Sequence, residues 1–200
     1  MAPLLIATTN AGKIREIRRL LHGHRDLRTL ADLPPIIEPE ETGTTFAHNA
    51  ALKARYYADK SGVMTVAEDS GLVIDAIGGA PGVHSARYPG ATYPDRFQSL
   101  YVALDGKPRP WTARYVCAVA VAEVRSDPSA PLMFSTEATV EGEIWPEPRG
   151  THGFGYDPIF YYPPYQRTFG EVEDKEKLAV AHRGRAFRQL ADWLRLTRGG

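Results

Sequence analysis

The sequence predicts an α/β fold built on a mixed β-sheet. In the first half of the 200-residue chain, short apolar runs rich in β-branched residues alternate with segments of helical periodicity. In the second half the strand-like runs cluster, which favours a mixed sheet over a purely parallel one. The length suits a single domain, residues 1–200, and is sufficient to bury a sizeable core.

The N-terminal part of the chain alternates strands and helices. Residues 3–9 form an apolar run typical of a central strand, and residues 11–24 follow with apolar side chains at helical spacing. Asn10 is a favourable N-cap for that helix. Residues 34–44 are rich in Pro and Glu and predict a loop, whereas residues 45–62 predict a second helix that ends on a glycine stop signal.

The rest of the chain is predicted to add strands and two further helices. The apolar runs VMTVA (63–67) and LVIDAI (72–77) predict two strands, with EDSG between them. A helix is predicted over 93–106, followed by strands at 114–124 and 132–144 that a turn at 125–131 joins. A loop over 151–158 leads into a short strand. The last predicted element is a helix from about 175 to 197, in which Gly184 is a candidate break.

Composition excludes several classes of protein. Lys plus Arg and Asp plus Glu both number 24, so the formal net charge is zero, which argues against a nucleic-acid polymer as partner. Cys117 is the single cysteine and lies in an apolar run, so we expect a small buried hydrophobe and no intrachain disulfide. The N-terminus has no basic signal-peptide start and no segment approaches the ~20 apolar residues that span a bilayer, so we expect a cytoplasmic protein without a membrane partner.

The stretch TTNAGK, Thr8 to Lys13, places hydroxyls, backbone N–H groups and a lysine at the start of the first predicted helix. Such a turn is a natural site for phosphate oxygens. It lacks the Walker A pattern, and a capped helix start with an exposed lysine explains the stretch equally well.

Two acidic pairs are candidate ligands for a hard cation. Glu40 and Glu41 lie in the predicted loop, and Glu68 and Asp69 lie between two apolar runs, where burial is costly without a compensating partner. Mg²⁺ prefers carboxylate oxygens and completes its sphere with water and substrate phosphates. A solvated loop is the alternative for the first pair, and by itself it is preferred. A turn between strands is the alternative for the second pair, and it is weaker because apolar sequence resumes at once.

Two C-terminal stretches offer contacts to a flat ring. In THGFGYDP, glycines flank Phe154, whose ring suits stacking on a nucleobase, and Asp157 is held extended by the proline that follows it. In KEKLAVAHRGRAF, we expect Lys177, His182 and Arg183 to project near one another and to offer donors to a carbonyl oxygen. An ordinary aromatic–glycine turn and a charged helix face are the respective alternatives.

In their order along the chain, these stretches resemble the inosine triphosphate pyrophosphatase family, whose bacterial members are dITP/XTP pyrophosphatases. The resemblance rests on TTNAGK, EETGTTFAHNAALKA, EDSGLVIDAIGGAPGVHSARYPG, GFGYDPIF and AHRGRAF, which together span nearly the whole chain. It implies an elongated mixed sheet flanked by helices, in two lobes with a central cleft, and a homodimer. It also implies a Mg²⁺-dependent enzyme that splits ITP, dITP and XTP into the monophosphate and pyrophosphate and so cleanses the nucleotide pool.

The resemblance implies a role for individual residues. Asp69 would be the general base and a metal ligand, and Glu40 or Glu41, with Glu68 as a further candidate, would complete the Mg²⁺ sphere. The phosphates would be held by Thr8, Thr9, Asn10, Ala11, Gly12, Lys13 and Lys53, and the rest of the substrate by Ser70, Phe154, Gly155, Tyr156, Asp157, Lys177, His182 and Arg183.

Two residues depart from the bacterial pattern. Glu68 stands where Asp is usual, so its carboxylate sits on a longer arm, and His152 stands where Gly is usual, so a bulkier side chain adjoins the predicted base loop. These departures leave the metal-ligand count and the access to the base loop open.

Three alternative functions compete with this interpretation. A Maf-like hydrolase acting on modified pyrimidine and other triphosphates is disfavoured by the stretches GFGYDPIF and AHRGRAF. A nucleotide sensor without catalysis would lack the general base, yet Asp69 is present at that position. A structural domain without a functional site does not explain why five stretches occur in the same order as in the family that the chain resembles.

Overall fold

The structure, a computed structural model, describes residues 3–23, 26–124 and 131–197. The strands are β1 Leu4–Ile6, β2 Leu27–Thr29, β3 Thr65–Ile74, β4 Thr112–Ala122, β5 Phe134–Ile144, β6 Phe160–Tyr162 and β7 Arg167–Thr168. The α-helices are α1 Ala11–Leu20, α2 Phe46–Ser61, α3 Tyr93–Leu104, α4 Asp174–Val180 and α5 His182–Leu196. The predicted turn at 125–131 lies outside the described residues except for its last position.

The strands form a seven-stranded mixed sheet in the order β2-β1-β3-β4-β5-β6-β7. Strand β1 pairs in parallel with β2 and β3, whereas β6 pairs antiparallel with β5 and β7. Strand β4 is buried along nearly its whole length, as expected for a central strand covered on both faces. The predicted α/β class with a mixed sheet flanked by helices is confirmed.

Two compact units make up the chain. Unit 1 contains Met1–Asp69, Cys117–Ala138 and Arg183–Gly200, and unit 2 contains Ser70–Val116 and Thr139–His182. Each unit has a core of its own. The expectations of one domain over 1–200 and of a central cleft stay predictions.

Each core is built from the apolar faces that the sequence pattern predicts. In unit 1, Leu4 and Ile6 of β1 pack with Ile17 of α1 and with Phe187 and Leu190 of α5. In unit 2 the core is aromatic: Tyr115, Tyr156, Phe160 and Phe169 are buried together with Phe97 of α3. These interiors hold the elements that carry the candidate functional side chains.

Strand β3 differs from its prediction. The sequence predicted two separate strands, 63–67 and 72–77, but β3 runs without interruption through Glu68, Asp69 and Ser70, so the alternative of a turn there is excluded as well. The polar residues are accommodated within the strand because buried partners on both sides of it compensate their desolvation, as described below. Short one-turn helices follow at Asp75–Ile77 and Gly82–Arg87.

The last predicted helix is two helices. The break lies at Ala181, whose backbone is extended with ψ near 156°, and Gly184 is a buried residue inside α5. The sequence analysis also missed β2 and β7, which have three and two residues and are too short to show a periodicity. Among the described residues, no helix has the length and apolar character needed to cross a membrane.

Candidate active site

Alternation along β3 explains why Glu68 and Asp69 have different partners. Successive side chains of a strand point to opposite faces of the sheet. Asp69 contacts helix α2, whereas Glu68 contacts side chains of α1, α5 and the neighbouring strand β4. Both carboxylates are buried, and each has cationic partners within unit 1. Two adjacent acids thus have different sets of contacting side chains, called here the Asp69 cluster and the Glu68 cluster.

The Asp69 cluster joins strand β3, helix α2 and the predicted acidic loop. Lys53 Nζ lies 3.4 Å from Asp69 Oδ1 and 2.5 Å from Glu41 Oε1, so one ammonium group bridges two carboxylates. Asn49, one helical turn before Lys53, donates from Nδ2 to Asp69 Oδ2 at 3.1 Å. Asn49 Oδ1 accepts from the backbone N–H of Gly43 at 2.8 Å. The loop, the helix and the strand are therefore tied together at the carboxylate that was predicted to be the base.

Burial raises the pKa of Asp69, although the charges of Lys53 and Lys13 and the Asn49 hydrogen bond act in the opposite direction. The pKa of Lys53 is raised as well, because Asp69 and Glu41 outweigh the desolvation of its ammonium group. Lys53 therefore stays charged, and Asp69 is a stronger proton acceptor than an exposed carboxylate.

The Glu41 and Asp69 carboxylates are oxygen donors of the kind that a hard divalent cation prefers. Among the described residues no three His, Cys, Asp or Glu side chains are grouped as a complete metal site. Mg²⁺ does not require one, because it is commonly held by one or two carboxylates with water and substrate phosphates. Lys53 already places a positive charge between the two carboxylates, so the pair is arranged to face a cation. Glu40 is exposed on the same loop and takes no part in these contacts.

The Glu68 cluster is a buried network of ion pairs. Glu68 Oε1 lies 2.8 Å from Lys13 Nζ and 3.4 Å from Arg183, and Cys117 Sγ donates to Oε2 at 3.2 Å. Arg183 in turn pairs with the fully buried Glu16 at 2.6 Å. Both Glu68 oxygens are thus engaged, so this residue is the weaker candidate for a metal ligand. Cys117 is buried, as predicted, and it also has a polar contact that its apolar surroundings in the sequence did not indicate.

We expect Glu68→Gln to destabilise the protein at neutral pH, by about 3 kcal/mol, because it removes the buried counter-charge of Lys13 and one of the two buried carboxylates that pair with Arg183. Burial alone would raise the pKa of Glu68, but Arg183 and Lys13 outweigh it and lower that pKa far below its usual range. A lowered pKa contributes stability above the unfolded-state value of about 4.3, and this contribution is lost as the pH falls toward the folded-state pKa.

Urea unfolding of the wild type and of Glu68→Gln at pH 7 and pH 3.5 measures this effect. The difference in unfolding free energy should shrink at the lower pH. Glu137→Gln, at an exposed position of β5, is the matched control and should change stability little at either pH. A Glu68→Gln deficit that is independent of pH would contradict the assignment.

The helix start predicted at TTNAGK is confirmed, but Lys13 is not the exposed lysine of the alternative interpretation, since it pairs with Glu68. Asn10 is the N-cap of α1, and its Oδ1 accepts from the Lys13 N–H at 3.0 Å. The Thr8 hydroxyl accepts from the Asn10 N–H at 3.2 Å. The next positions, Thr9 and Ala11, are exposed, and Gly12 is half-buried. Within unit 1 the turn thus presents a helix N-terminus capped by Asn10, while the Lys13 ammonium is directed to Glu68.

In unit 2 the predicted base loop is organised around Asp157. The Asp157 carboxylate accepts from the Phe154 N–H at 2.8 Å and from Lys177 at 2.6 Å, and the Tyr115 hydroxyl lies 3.3 Å from it. Gly153 has φ near 71°, and a Cβ there would collide with the same carboxylate, so glycine is required. Lys177 also lies 4.9 Å from the centroid of the half-buried Phe154 ring. Asp157 therefore acts within unit 2 as a buried anchor for Phe154 and Lys177.

The other predicted residues of unit 2 are placed around the same core. The His182 imidazole stacks on Tyr115, with ring centroids 4.6 Å apart and planes 15° apart. The Tyr156 hydroxyl donates to the Ser85 carbonyl at 2.8 Å, which makes Tyr156 part of the interior. Gly155, with φ near 69°, adjoins it, and Ser70 is half-buried in β3. The break at Ala181 gives Lys177 and Arg183 different partners, Asp157 for the first and Glu16 with Glu68 for the second.

Three residues that hold the predicted ones in place, Asn49, Glu16 and Tyr115, were not identified from the sequence. Asn49 precedes Lys53 by four residues and Glu16 follows Lys13 by three, spacings that place each pair on one helix face. Those spacings could have identified Asn49 and Glu16 from the sequence. No pattern could have identified Tyr115, because a tyrosine within an apolar strand is indistinguishable from a core residue.

Comparisons with known proteins bear on this geometry. The profile of the Ham1 family matches residues 4–193, nearly the whole chain. The chain belongs to the Ham1 family. Ham1 relatives named dITP/XTP pyrophosphatase include one from Gloeobacter violaceus, 47% identical over 94% of this chain and 91% of the relative, and one from Listeria monocytogenes, 44% identical over 95% and 93%.

Solved Ham1 structures share the fold. The HAM1 protein from Coxiella burnetii is 41% identical, covers 97% of this chain and 98% of its own, and superposes with a TM-score of 0.84. The Ham1 protein from Staphylococcus aureus is 32% identical and has the same TM-score over 96% of this chain and 98% of its own. The resemblance inferred from the five sequence stretches is thereby confirmed.

Proposed function

We propose that this Ham1 protein is a Mg²⁺-dependent nucleoside triphosphate pyrophosphatase that converts ITP, dITP and XTP into the monophosphate and pyrophosphate. Its role would be to remove non-standard purine nucleotides from the nucleotide pool. The observation that carries the proposal is the buried Asp69 carboxylate, held between Lys53 and Asn49, in a chain whose relatives are named dITP/XTP pyrophosphatases.

The chemistry assigned to unit 1 is attack of water on the α–β phosphoanhydride. Asp69 accepts the proton of the water as its oxygen bonds to phosphorus, and pyrophosphate leaves with the electron pair of the broken P–O bond. Lys13 and Lys53 offset the negative charge of the triphosphate, and backbone N–H groups of the turn at 8–13 bind its oxygens. Glu41 and Asp69 would hold Mg²⁺, which when bound neutralises phosphate charge and orients the leaving group.

The residues assigned to the purine lie in unit 2. The Phe154 ring offers a stacking face, and Lys177 and His182 offer donors at the ring edge. Arg183 was predicted to act there too, and its pairing with Glu68 supports an additional role in holding the unit 1 network. Donors directed at the purine 6-position match the 6-oxo group of hypoxanthine and xanthine, whereas adenine, with an amine there, leaves them unpaired.

Two further features of the proposal rest on the family resemblance. They are assembly as a homodimer and action in the cytoplasm on small-molecule nucleotides.

The proposal is tested by pyrophosphate release from ITP, XTP, ATP, GTP and dTTP with Mg²⁺. We expect turnover of ITP and XTP to exceed that of ATP by at least about a hundredfold, the discrimination that pairing of buried polar groups supplies. Preference for dTTP would instead indicate a Maf-like hydrolase, and binding of ITP without turnover would indicate a nucleotide sensor. Either result would overturn the proposal.

A further inference from the structure

Asn49 is a fully buried polar residue that no step of the proposed reaction uses. Both ends of its side-chain amide have a partner: the oxygen accepts from the Gly43 N–H at 2.8 Å, and the nitrogen donates to Asp69 at 3.1 Å. A buried amide is retained at such a position only where its hydrogen bonds offset its desolvation. The two bonds connect the loop that carries Glu41 to the strand that carries Asp69.

Gly43 shows how close this connection is. A Cβ placed on residue 43 would lie 2.5 Å from Asn49 Oδ1 and 2.9 Å from the His48 ring. Any side chain at residue 43 would therefore push the loop away from helix α2. The glycine is required by this close approach, since no positive φ at residue 43 demands it.

Helix α2 thus presents two groups one turn apart: Lys53 contacts both Glu41 and Asp69, and Asn49 contacts Asp69 and the backbone of the Glu41 loop. Lys53 contacts Glu41 and Asp69 through charge, so it holds the two carboxylates only while it remains their counter-ion. Asn49 holds the loop backbone and the Asp69 carboxylate through neutral hydrogen bonds. When a divalent cation displaces the lysine charge, the neutral link still fixes the distance between the two carboxylates.

We propose that Asn49 is a positioning residue, which with Gly43 sets the separation of the Glu41 and Asp69 carboxylates for a divalent cation. The inference rests on the proposed function for the identity of the ligand. Partners of ligating carboxylates are part of a metal site, and their loss typically costs 10- to 100-fold in metal affinity or activity.

The test compares Asn49→Ala, Gly43→Ala and Tyr56→Phe with the wild type. Asn49→Ala removes both hydrogen bonds, whereas Gly43→Ala displaces the loop and leaves the Asp69 contact chemically intact. Tyr56→Phe is the matched control, because it removes another bond from α2 to the same loop, that of the Tyr56 hydroxyl to the Ile37 carbonyl at 2.8 Å.

Two readouts follow the metal directly. Mn²⁺ binding to the nucleotide-free protein, measured by electron paramagnetic resonance, should weaken about 10- to 100-fold in Asn49→Ala and Gly43→Ala and stay unchanged in Tyr56→Phe. The Mg²⁺ concentration giving half-maximal ITP turnover should rise by a similar factor, while the KM for ITP at saturating Mg²⁺ changes little. A purely structural role would lower stability without this selective shift in metal dependence.

A third readout follows the loop. Hydrogen exchange of the Gly43 amide should accelerate in Asn49→Ala, because its buried acceptor is gone. Wild-type metal affinity in both test variants, an equal shift in Tyr56→Phe, or absence of Mn²⁺ binding by the wild type would overturn the inference. A wild type that binds Mn²⁺ but hydrolyses no nucleotide would overturn the proposed function instead, and the binding comparison would still decide the role of Asn49.

Discussion

Asp69→Asn is expected to lower ITP turnover by about 10²- to 10⁴-fold, the contribution typical of a positioned general base. Asparagine has the same shape and still accepts the hydrogen bond from Asn49, but its amide cannot take a proton from water. It also removes one of the two carboxylates that face the proposed cation. The measurement is kcat for pyrophosphate release at saturating ITP and Mg²⁺.

The free energy of unfolding of Asp69→Asn distinguishes a loss of catalysis from a loss of folding. Because burial raises the pKa of Asp69, the folded state disfavours its charged form, so at neutral pH the ionised group weakens the fold. Neutralising it should leave the free energy of unfolding equal to that of the wild type or raise it. Such a gain in stability with a loss of activity is the usual trade-off at a catalytic carboxylate.

Asp59→Asn provides the matched control for this prediction. Asp59 lies on the same helix as Lys53, its side chain is 62% exposed, and it pairs only across the surface with Lys60. The same Asp-to-Asn change there should leave ITP turnover unaltered. Full turnover in Asp69→Asn would show that another group acts as the base.

The sequence predicted those parts of the fold that are written in local patterns. Asn10 was identified as an N-cap and helix α2 to within a residue at each end, because caps and helical periodicity depend on neighbours in the chain. The prediction of two separate strands, 63–67 and 72–77, was wrong because the continuity of β3 depends on contacts that are distant in the chain. Polar residues in mid-strand look like an interruption unless their partners are known, and one of those partners, Arg183, lies more than a hundred residues away.

The same distinction applies to the candidate site. The resemblance predicted which residues belong to the candidate site, but it did not predict that Glu68 and Asp69 have different partners. Alternation along β3 sends Glu68 and Asp69 to opposite faces, and this became visible only once the strand was known to be continuous. The break at Ala181, which gives Lys177 and Arg183 different partners, has no glycine or proline to announce it.

Lys177→Met should be among the most destabilising single substitutions in unit 2, costing about 3–5 kcal/mol. Lys177 and Asp157 form a 2.6 Å ion pair whose side chains are only 2% and 3% exposed. Methionine fills the space of the lysine stem but leaves the Asp157 carboxylate buried without its counter-charge. Equilibrium unfolding in urea measures the cost, and Lys175→Met, at an exposed position of the same helix, should cost less than about 0.5 kcal/mol.

A second substitution distinguishes two contributions to this cost, the loss of the lysine charge beside Asp157 and the loss of packing. Adding Asp157→Asn to Lys177→Met neutralises the buried carboxylate, and the asparagine oxygen still accepts from the Phe154 N–H. The double variant should therefore be more stable than Lys177→Met alone, although it carries one more mutation. If the two changes instead add, the cost of Lys177→Met comes from packing, and the ion pair contributes little to the stability of the base loop. Recovery in the double variant would mean that the cost of Lys177→Met is that of a buried carboxylate deprived of its lysine, so the base loop that holds Phe154 depends on the balance of the two charges.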